Sequence, residues 1–239
     1  MRRSTAGPVR WNERVRNFKH MARFIVAISK LYIAIPSAFP RMLTSSRTPR
    51  YLKTMEHHNI PLDKFKFDPA IIKNRWLLLA AGKFCAETVP GSATGGALPY
   101  NAMTISWGST GQIWNKLFFQ VVVRPTRHTF SFMESGDSFT LSVFPEALKP
   151  ALSLLGSKSG RDGDKISASG LHPMASSRVA APSFQEAELV VECRKMYWQD
   201  LDPSHFLNPA IEANYPKKDY HRAYFGEIVA VHGTEAYRG

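Results

Sequence analysis

The chain has 239 residues, 44% of them hydrophobic, which leaves room for one ordinary domain with an extension, or two very small domains, and argues against general disorder. Two cysteines, Cys85 and Cys193, are too few for a disulfide framework and point to a reducing, cytoplasmic compartment, and no run reaches the roughly 18 uncharged apolar residues that a membrane helix needs. The net charge of +12 is uneven: residues 1–54 hold twelve Lys/Arg against Glu13 alone (+11), residues 55–239 hold nineteen Lys/Arg and eighteen acids (+1), so a basic nucleic-acid face across the body is excluded.

Residues 1–54 read as an extension of a body that spans 55–239. Within the apolar stretch 24–39, Phe24, Ile28, Leu31, Tyr32 and Ile35 fall at helical spacing, but Lys30 and Pro36 interrupt it. A short amphipathic helix is expected there, not a membrane span. The Arg-rich, acid-poor flanks suit a presequence. A tail that attaches to membrane surfaces and a misplaced start, with Met55 as the true first residue, are the other readings. No catalytic chemistry is expected in this segment.

From about Lys73 the chain reads as strands with short helices between them. Trp76 to Ala81 is a continuous apolar run, fit for a buried strand, and the Gly/Pro-rich stretch 83–99 is a loop. Tyr100 to Trp107 alternates, with Met103, Ile105 and Trp107 on one face and Ala102, Thr104 and Ser106 on the other. Phe118 to Val123 is a further strand that ends at Arg124-Pro125. Thr129 is placed to cap a short helix through Met133, with Ser131 and Glu134 as a rival capping box. A fourth strand carries Phe139, Leu141 and Val143. Residues 146–155 are helical, stopped by Gly156, with Pro150 forcing a kink or a late start. Phe184 to Cys193 and Tyr220 to His232 are long strands, separated by a short helical insertion over 204–215. Six or more strands without a βαβ rhythm predict a mainly β fold, an antiparallel barrel with a few short helices.

The usual compact catalytic signatures are missing. No Lys-Ser/Thr pair follows Gly91 to Gly96 as a phosphate-binding loop requires, and there is no Gly-x-Ser-x-Gly elbow. Neither Cys-x-x-Cys nor His-Glu-x-x-His occurs, so no metal site is expected. The acid pairs Asp162/Asp164 and Asp200/Asp202 suit turns and caps. Four segments remain. Thr104 and Ser106 offer two hydroxyls toward one point, suited to the edge of a heterocycle or a phosphate, or simply to solvent. Arg124 and Arg127, three apart after a strand end, suit a phosphate, or a solvated turn. Lys158-Ser159-Gly160-Arg161-Asp162 is a polar cationic loop that could offset negative charge on a bound group. Tyr220 to Ile228 places His221 and aromatics on a strand near the barrel mouth, where a histidine is as often structural.

These four segments, in this order, resemble the flavin reductase-like family, the FMN-binding split barrels, in its flavoredoxin-type branch. The pattern is Asn101-x-Met103-Thr104-x-Ser106-Trp107-Gly108, then Val123-Arg124-Pro125-x-Arg127-x-Thr129 and Phe144-Pro145-Glu146. It continues through Lys158-Ser159-Gly160-Arg161-Asp162 to Tyr220-His221-x-x-Tyr224-x-Gly226-Glu227-Ile228, and the resemblance covers about residues 70–232. It implies a homodimer that binds FMN between its subunits. Asn101, Met103, Thr104, Ile105, Ser106 and Trp107 would line the flavin. Val123, Arg124, Pro125, Arg127 and Thr129 would hold the phosphate and ribityl chain, and Lys158, Ser159 and Gly160 would close on the cofactor. His221 would touch flavin or nicotinamide. The cofactor carries the redox chemistry, so no catalytic side chain is expected. The implied activity is an NADH- or NADPH-dependent flavin reductase. An FMN electron-transfer protein served by a small iron–sulfur partner, and a basic-tailed nucleic-acid or membrane-surface adaptor, are the alternatives.

Overall fold

The computed structural model describes residues 57–86 and 98–239. The division at residue 54, the expected amphipathic helix and the middle of the 83–99 loop lie outside the described residues.

The elements run β1 (His58–Asn59), α1 (Ala70–Asn74), β2 (Leu77–Gly82), β3 (Tyr100–Ile105), β4 (Gly108–Ile113) and β5 (Lys116–Val123). They continue with α2 (His128–Ser135), β6 (Ser138–Val143), α3 (Lys149–Ser157), α4 (Lys165–Ser169), β7 (Pro173–Met174), β8 (Ser183–Phe184), β9 (Leu189–Asp200) and β10 (Arg222–Gly233). Every strand pairing is antiparallel. The main sheet runs β3-β2-β6-β9-β10-β5-β4, with β1 added beside β10. Its two end strands, β3 and β4, are joined by Ser106 and Trp107 alone. Two residues cannot span an open sheet of this width, so the sheet curls until its ends meet. The result is the expected mainly β antiparallel barrel, split at the β3/β4 seam.

Alternation explains which side chains fill it. Leu77 and Leu79 of β2, Met103 and Ile105 of β3, Phe119 and Val121 of β5 and Phe139 and Leu141 of β6 point into one core. Leu78, Ala80, Tyr100 and Ala102, one residue out of phase, enter a second core with Leu152 and Leu155 of α3, Ile166 of α4 and Phe184. Thus β2 and β3 are buried on both faces, which is why Trp76 to Ala81 is apolar without alternation. Full burial of each Leu or Phe stabilises by about 1.5–3 kcal/mol.

Several expectations are corrected. Strand β4 was not expected, because Gly108-Ser109-Thr110-Gly111-Gln112 lacks apolar alternation. Both its faces are largely exposed, and it is held by β5 across a two-residue hairpin whose Trp114 and Asn115 have φ of 51° and 58°. Thr129 does not cap α2; the cap residue is Arg127, without a side-chain bond, and Thr129 Oγ1 instead accepts a 2.8 Å hydrogen bond from Asn101 Nδ2. Glu134 forms no capping box, since it accepts from Arg222 and Tyr224. Gly156 lies inside α3 and does not stop it. A Cβ there would come within 3.1 Å of Thr104 Cβ, so the glycine lets α3 lie close against β3. The late start is observed: residues 146–148 form a 3₁₀ turn and Pro150 sits in the first turn of α3. The insertion between β9 and β10 is two 3₁₀ turns, Pro203–His205 and Pro209–Asn214. Asp164 and Asp202 cap helical turns, as their spacing suggests.

Candidate functional site

Among the described residues, strand β3 ends the sheet and pairs on one side only, with β2. Its other edge has backbone groups without a strand partner, the property that lets an edge strand bind something else. A cavity lies at each end of it.

At the Asn101 end is a polar cavity of about 90 Å³. Arg127, Lys158, Arg161 and Lys165 line it, with Thr126, Thr129, Ser157 and Ser159 supplying hydroxyls, and no carboxylate is among its lining residues. The start of α2 contributes Arg127, His128 and Thr129, and so the positive end of a helix dipole. The end of α3 would oppose an anion, but its carbonyls are covered. Arg127 Nη2 donates to Gly156 O at 2.7 Å, and Lys165 Nζ donates to Leu155 O at 2.8 Å and Lys158 O at 3.0 Å. Lys165 is only 6% exposed. Burial, then repulsion from Arg127, pushes its pKa down to about 8. Burial, then Arg124, also lowers that of Arg127. His128 Nδ1 is buried and has no hydrogen-bond partner among the described residues. A Cβ on Gly160 would lie 2.7 Å from that nitrogen and 2.6 Å from Asn101 Oδ1, so the loop can pass there only as glycine.

At the other end is a wider cavity of about 200 Å³, lined by Met103 to Trp107, Val122, Arg124 and His221. Trp107 is half-exposed, with its ring 5.3 Å from that of His221. The Tyr215 hydroxyl lies 2.8 Å from His221 Nδ1. Arg124 is already paired: Nη1 lies 2.8 Å from Asp219 Oδ1, Nη2 donates to Asn214 O at 2.7 Å, and the guanidinium sits over the Tyr215 ring at 5.0 Å. One end of β3 therefore suits an anion. The other suits a flat, polar-edged ring.

Residues 82–238 match the family described as flavin reductase like domain. The chain belongs to this family. An FMN-binding domain of a flavin reductases-like enzyme from Shewanella baltica OS155 has the same fold, with TM-score 0.52 and 15% identity over 75% of this chain and 78% of that one. Nitrilotriacetate monooxygenase component B from Bacillus cereus is similar at TM-score 0.50 and 15% identity, over 70% and 75%. The flavoredoxin of Desulfovibrio vulgaris (Miyazaki F) overlaps at TM-score 0.48 and 19% identity, over 67% and 70%. No curated protein matches the chain. The large antiparallel sheet, split at the β3/β4 seam and accompanied by few short helices, is the split barrel of the flavin reductase-like fold.

Within this fold, the residues expected at the site are divided. Asn101, Arg127, Thr129, Lys158 and Ser159 line the cationic cavity; Met103, Thr104, Ile105, Ser106, Trp107, Arg124 and His221 line the other. Gly160 borders the first through its approach to Asn101 and His128. Val123 lines neither, because its side chain is fully buried in the barrel core. Pro125 is exposed and also lines neither. Thr104 does not offer a spare hydroxyl: Oγ1 donates to Leu152 O and helps dock α3. Other residues were missed. Lys165, Arg161, Thr126 and Ser157 line the cationic cavity and His128 brings a buried ring nitrogen to it, while Val122 lines the wider cavity and Tyr215 meets His221. Of these, Arg161, Thr126 and His128 stood inside segments already singled out, and nothing in the sequence marked Lys165 as buried. Among the described residues, no helix is long and apolar enough to cross a membrane and no His/Cys/Asp/Glu cluster is arranged to hold a metal ion.

Proposed function

We propose that the protein is an FMN-dependent oxidoreductase of the flavin reductase type that draws electrons from NADH or NADPH and works as a homodimer. One observation carries this reading: an unpaired strand edge joins an acid-free cationic cavity to an aromatic-walled one. An anionic group tethered to a flat heterocycle matches that sequence of surfaces. The FMN-binding relative from Shewanella baltica supports the same ligand.

In this reading Arg127, Lys158, Arg161 and Lys165 hold the phosphate, with Thr129 and Ser159 as hydroxyl partners. His128 Nδ1, without a partner among the described residues, gains one. The free edge of β3 meets the polar rim of the ring, and Trp107 and His221 bound its far side. FMN, when bound, supplies the chemistry, taking hydride from the nicotinamide and passing electrons onward. The chain's part is to orient the ring, to keep the phosphate end fixed and to limit water at the β3 edge. Arg124, neutralised by Asp219, shapes the wall and adds little net charge. The dimer reading is supported by exposed apolar surface on β5, on β9 and on the hairpin tip: Leu117, Tyr197, Trp198 and Trp114.

Titration of the apoprotein with FMN and riboflavin tests the ligand. FMN should bind at least tenfold more tightly, since a charge-assisted hydrogen bond is worth about 1.5–3 kcal/mol. Equal affinities would overturn the phosphate assignment. Anaerobic NADH or NADPH should then bleach the bound flavin. A flavin that stays oxidised with both, yet is reduced by an iron–sulfur protein, would favour the electron-transfer alternative.

A further inference from the structure

Tyr215 lies in the insertion between β9 and β10 and is 3% exposed. Its ring stacks on Phe206 at 6.0 Å and packs against Tyr220 at 5.0 Å, which fixes where the hydroxyl points. Within the described residues that hydroxyl makes one hydrogen bond, 2.8 Å to His221 Nδ1. Two proton arrangements are compatible with the contact. In the first, the hydroxyl donates to an unprotonated Nδ1. In the second, Nδ1–H donates to the hydroxyl oxygen, and the buried phenolic proton has no acceptor. Leaving a buried donor unpaired costs about 1–3 kcal/mol, which is about 5- to 150-fold in population. The first arrangement therefore dominates.

The imidazole itself is neutral at physiological pH. Burial, and after it the charge of Arg124, pushes its pKa down to about 4. A neutral ring carries one N–H, and with Nδ1 accepting, that proton is on Nε2. Nε2 makes no hydrogen bond within the described residues, and the ring lines the cavity beside the β3 edge.

We infer that Tyr215 fixes His221 as the Nε2–H tautomer, so that the ring presents a donor to the Met103–Trp107 cavity and favours the reduced, more negative flavin ring over the oxidised one. The inference rests on the FMN reading above. His221 would touch the cofactor; Tyr215 acts through His221 and is a positioning residue. A donor aimed at a site where negative charge appears is strengthened as the charge appears, so its effect falls on the difference between two redox states. Arg124 does not substitute for it, because Asp219 already neutralises that guanidinium.

The tautomer is read directly from long-range proton–nitrogen NMR of the histidine ring in the full chain without flavin. The parent should show a protonated Nε2 and a bare Nδ1, and Tyr215→Phe, which keeps the stacked ring but loses the donor, should show both tautomers. With FMN, the ratio of reduced to oxidised dissociation constants should rise about tenfold in Tyr215→Phe and in His221→Leu. It should return close to the parent value in His221→Gln, whose amide N–H reaches the same place. An Nδ1–H tautomer in the parent overturns the inference, and so does an unchanged ratio in both Tyr215→Phe and His221→Leu while FMN remains bound. A parent that binds no FMN overturns the proposed function and the ring's role with it, and the NMR spectrum then shows by itself whether Tyr215 sets the tautomer.

Discussion

At the Asn101 end of β3, Arg127 and Lys165 donate, among the described residues, only to backbone carbonyls of α3 and of the residue that follows it, so no carboxylate neutralises either. At the Trp107 end, Arg124 lies 2.8 Å from the Asp219 carboxylate and over the Tyr215 ring. Two arginines three residues apart thus do different work. A carbonyl satisfies a donor without cancelling its charge, whereas a carboxylate does both. The cost of the first arrangement is visible in the lowered proton affinities of Lys165 and Arg127, which burial causes. Uncompensated, partly buried cations are costly unless an anion joins them. In the proposed reading the cationic cavity is the end that takes the ligand, and Arg124 is part of the frame.

The hardest test of that contrast is Lys165→Met. The ammonium has three donors, of which Leu155 O and Lys158 O use two, and the third is left for the cavity. Its loss should weaken FMN ten- to hundredfold, the equivalent of about 1.5–3 kcal/mol for a charge-assisted hydrogen bond. Riboflavin, lacking the phosphate, should change by less than about threefold. Fluorescence titrations of both flavins, with circular dichroism to confirm the fold, give the answer. Equal losses for both flavins would mean that Lys165 only holds α3 in place.

Next in size is the paired comparison of Arg127→Gln and Arg124→Gln. Arg127→Gln should remove about tenfold of the preference for FMN over riboflavin. Arg124→Gln should leave that preference intact and instead destabilise the chain by about 1 kcal/mol, because it breaks a partly buried ion pair that ties β5 to the segment before β10. The reverse pattern in flavin titrations and denaturant melts would show that Arg124 leaves Asp219 to hold the phosphate.

Much of this arrangement was open to sequence reasoning because it is local. Strands such as Phe139-Thr140-Leu141-Ser142-Val143 carry their period in the side chains, and Pro150 marks the start of α3 by its own stereochemistry. Strand β4 carries no such period, since it is a hairpin arm with most of both faces in solvent. The site was legible as segments but not as geometry. Thr129 looks like a cap until the fold brings Asn101, 28 residues away, to its hydroxyl. Lys165 looks like an ordinary helix lysine until α3 ends beside it. Arg124 looks free because its partner Asp219 is 95 residues distant in sequence. Charge pairing over such separations is a property of topology, which local pattern does not encode.

A smaller effect concerns pH. The Lys165 pKa in the fold, about 8, lies below its ordinary 10.5 because of burial and Arg127. Between those values the unfolded chain binds more protons, so this group's contribution to stability rises with pH across that window. Below about 8 both states are protonated and the penalty of burying the ammonium is fully present; above 10.5 it is gone. FMN affinity should run the other way. The amine keeps two donors for the two carbonyls but loses the third, together with its charge, so the FMN dissociation constant should rise severalfold as pH passes through about 8 while riboflavin stays level. The apoprotein's melting temperature, measured against Lys165→Met over the same range, isolates the opposite trend. An FMN affinity that is flat through this window would show that the Lys165 ammonium does not act on the phosphate.

The smallest expected effect sharpens the comparison from outside, at the surface proposed for the dimer. Trp114 and Asn115 make the two-residue turn between β4 and β5, with both φ values positive. Asparagine tolerates that conformation, but a tryptophan there costs about 1 kcal/mol. The indole is 57% exposed and meets Tyr197 edge-on at 6.0 Å, a contact worth about 0.5–1.5 kcal/mol. In Trp114→Asn the relieved backbone and the lost ring contact nearly cancel, so monomer stability should move by less than about 1 kcal/mol. In the proposed dimer the exposed ring would meet a second copy, and that contact would offset the backbone strain. Sedimentation across a concentration series should show the variant dissociating at higher protein concentration than the parent, with flavin lost alongside the dimer if the partner helps to cover the ring. A variant that dimerises as tightly as the parent would remove this face from the interface, and one that unfolds far more easily would place Trp114 in the fold's own support.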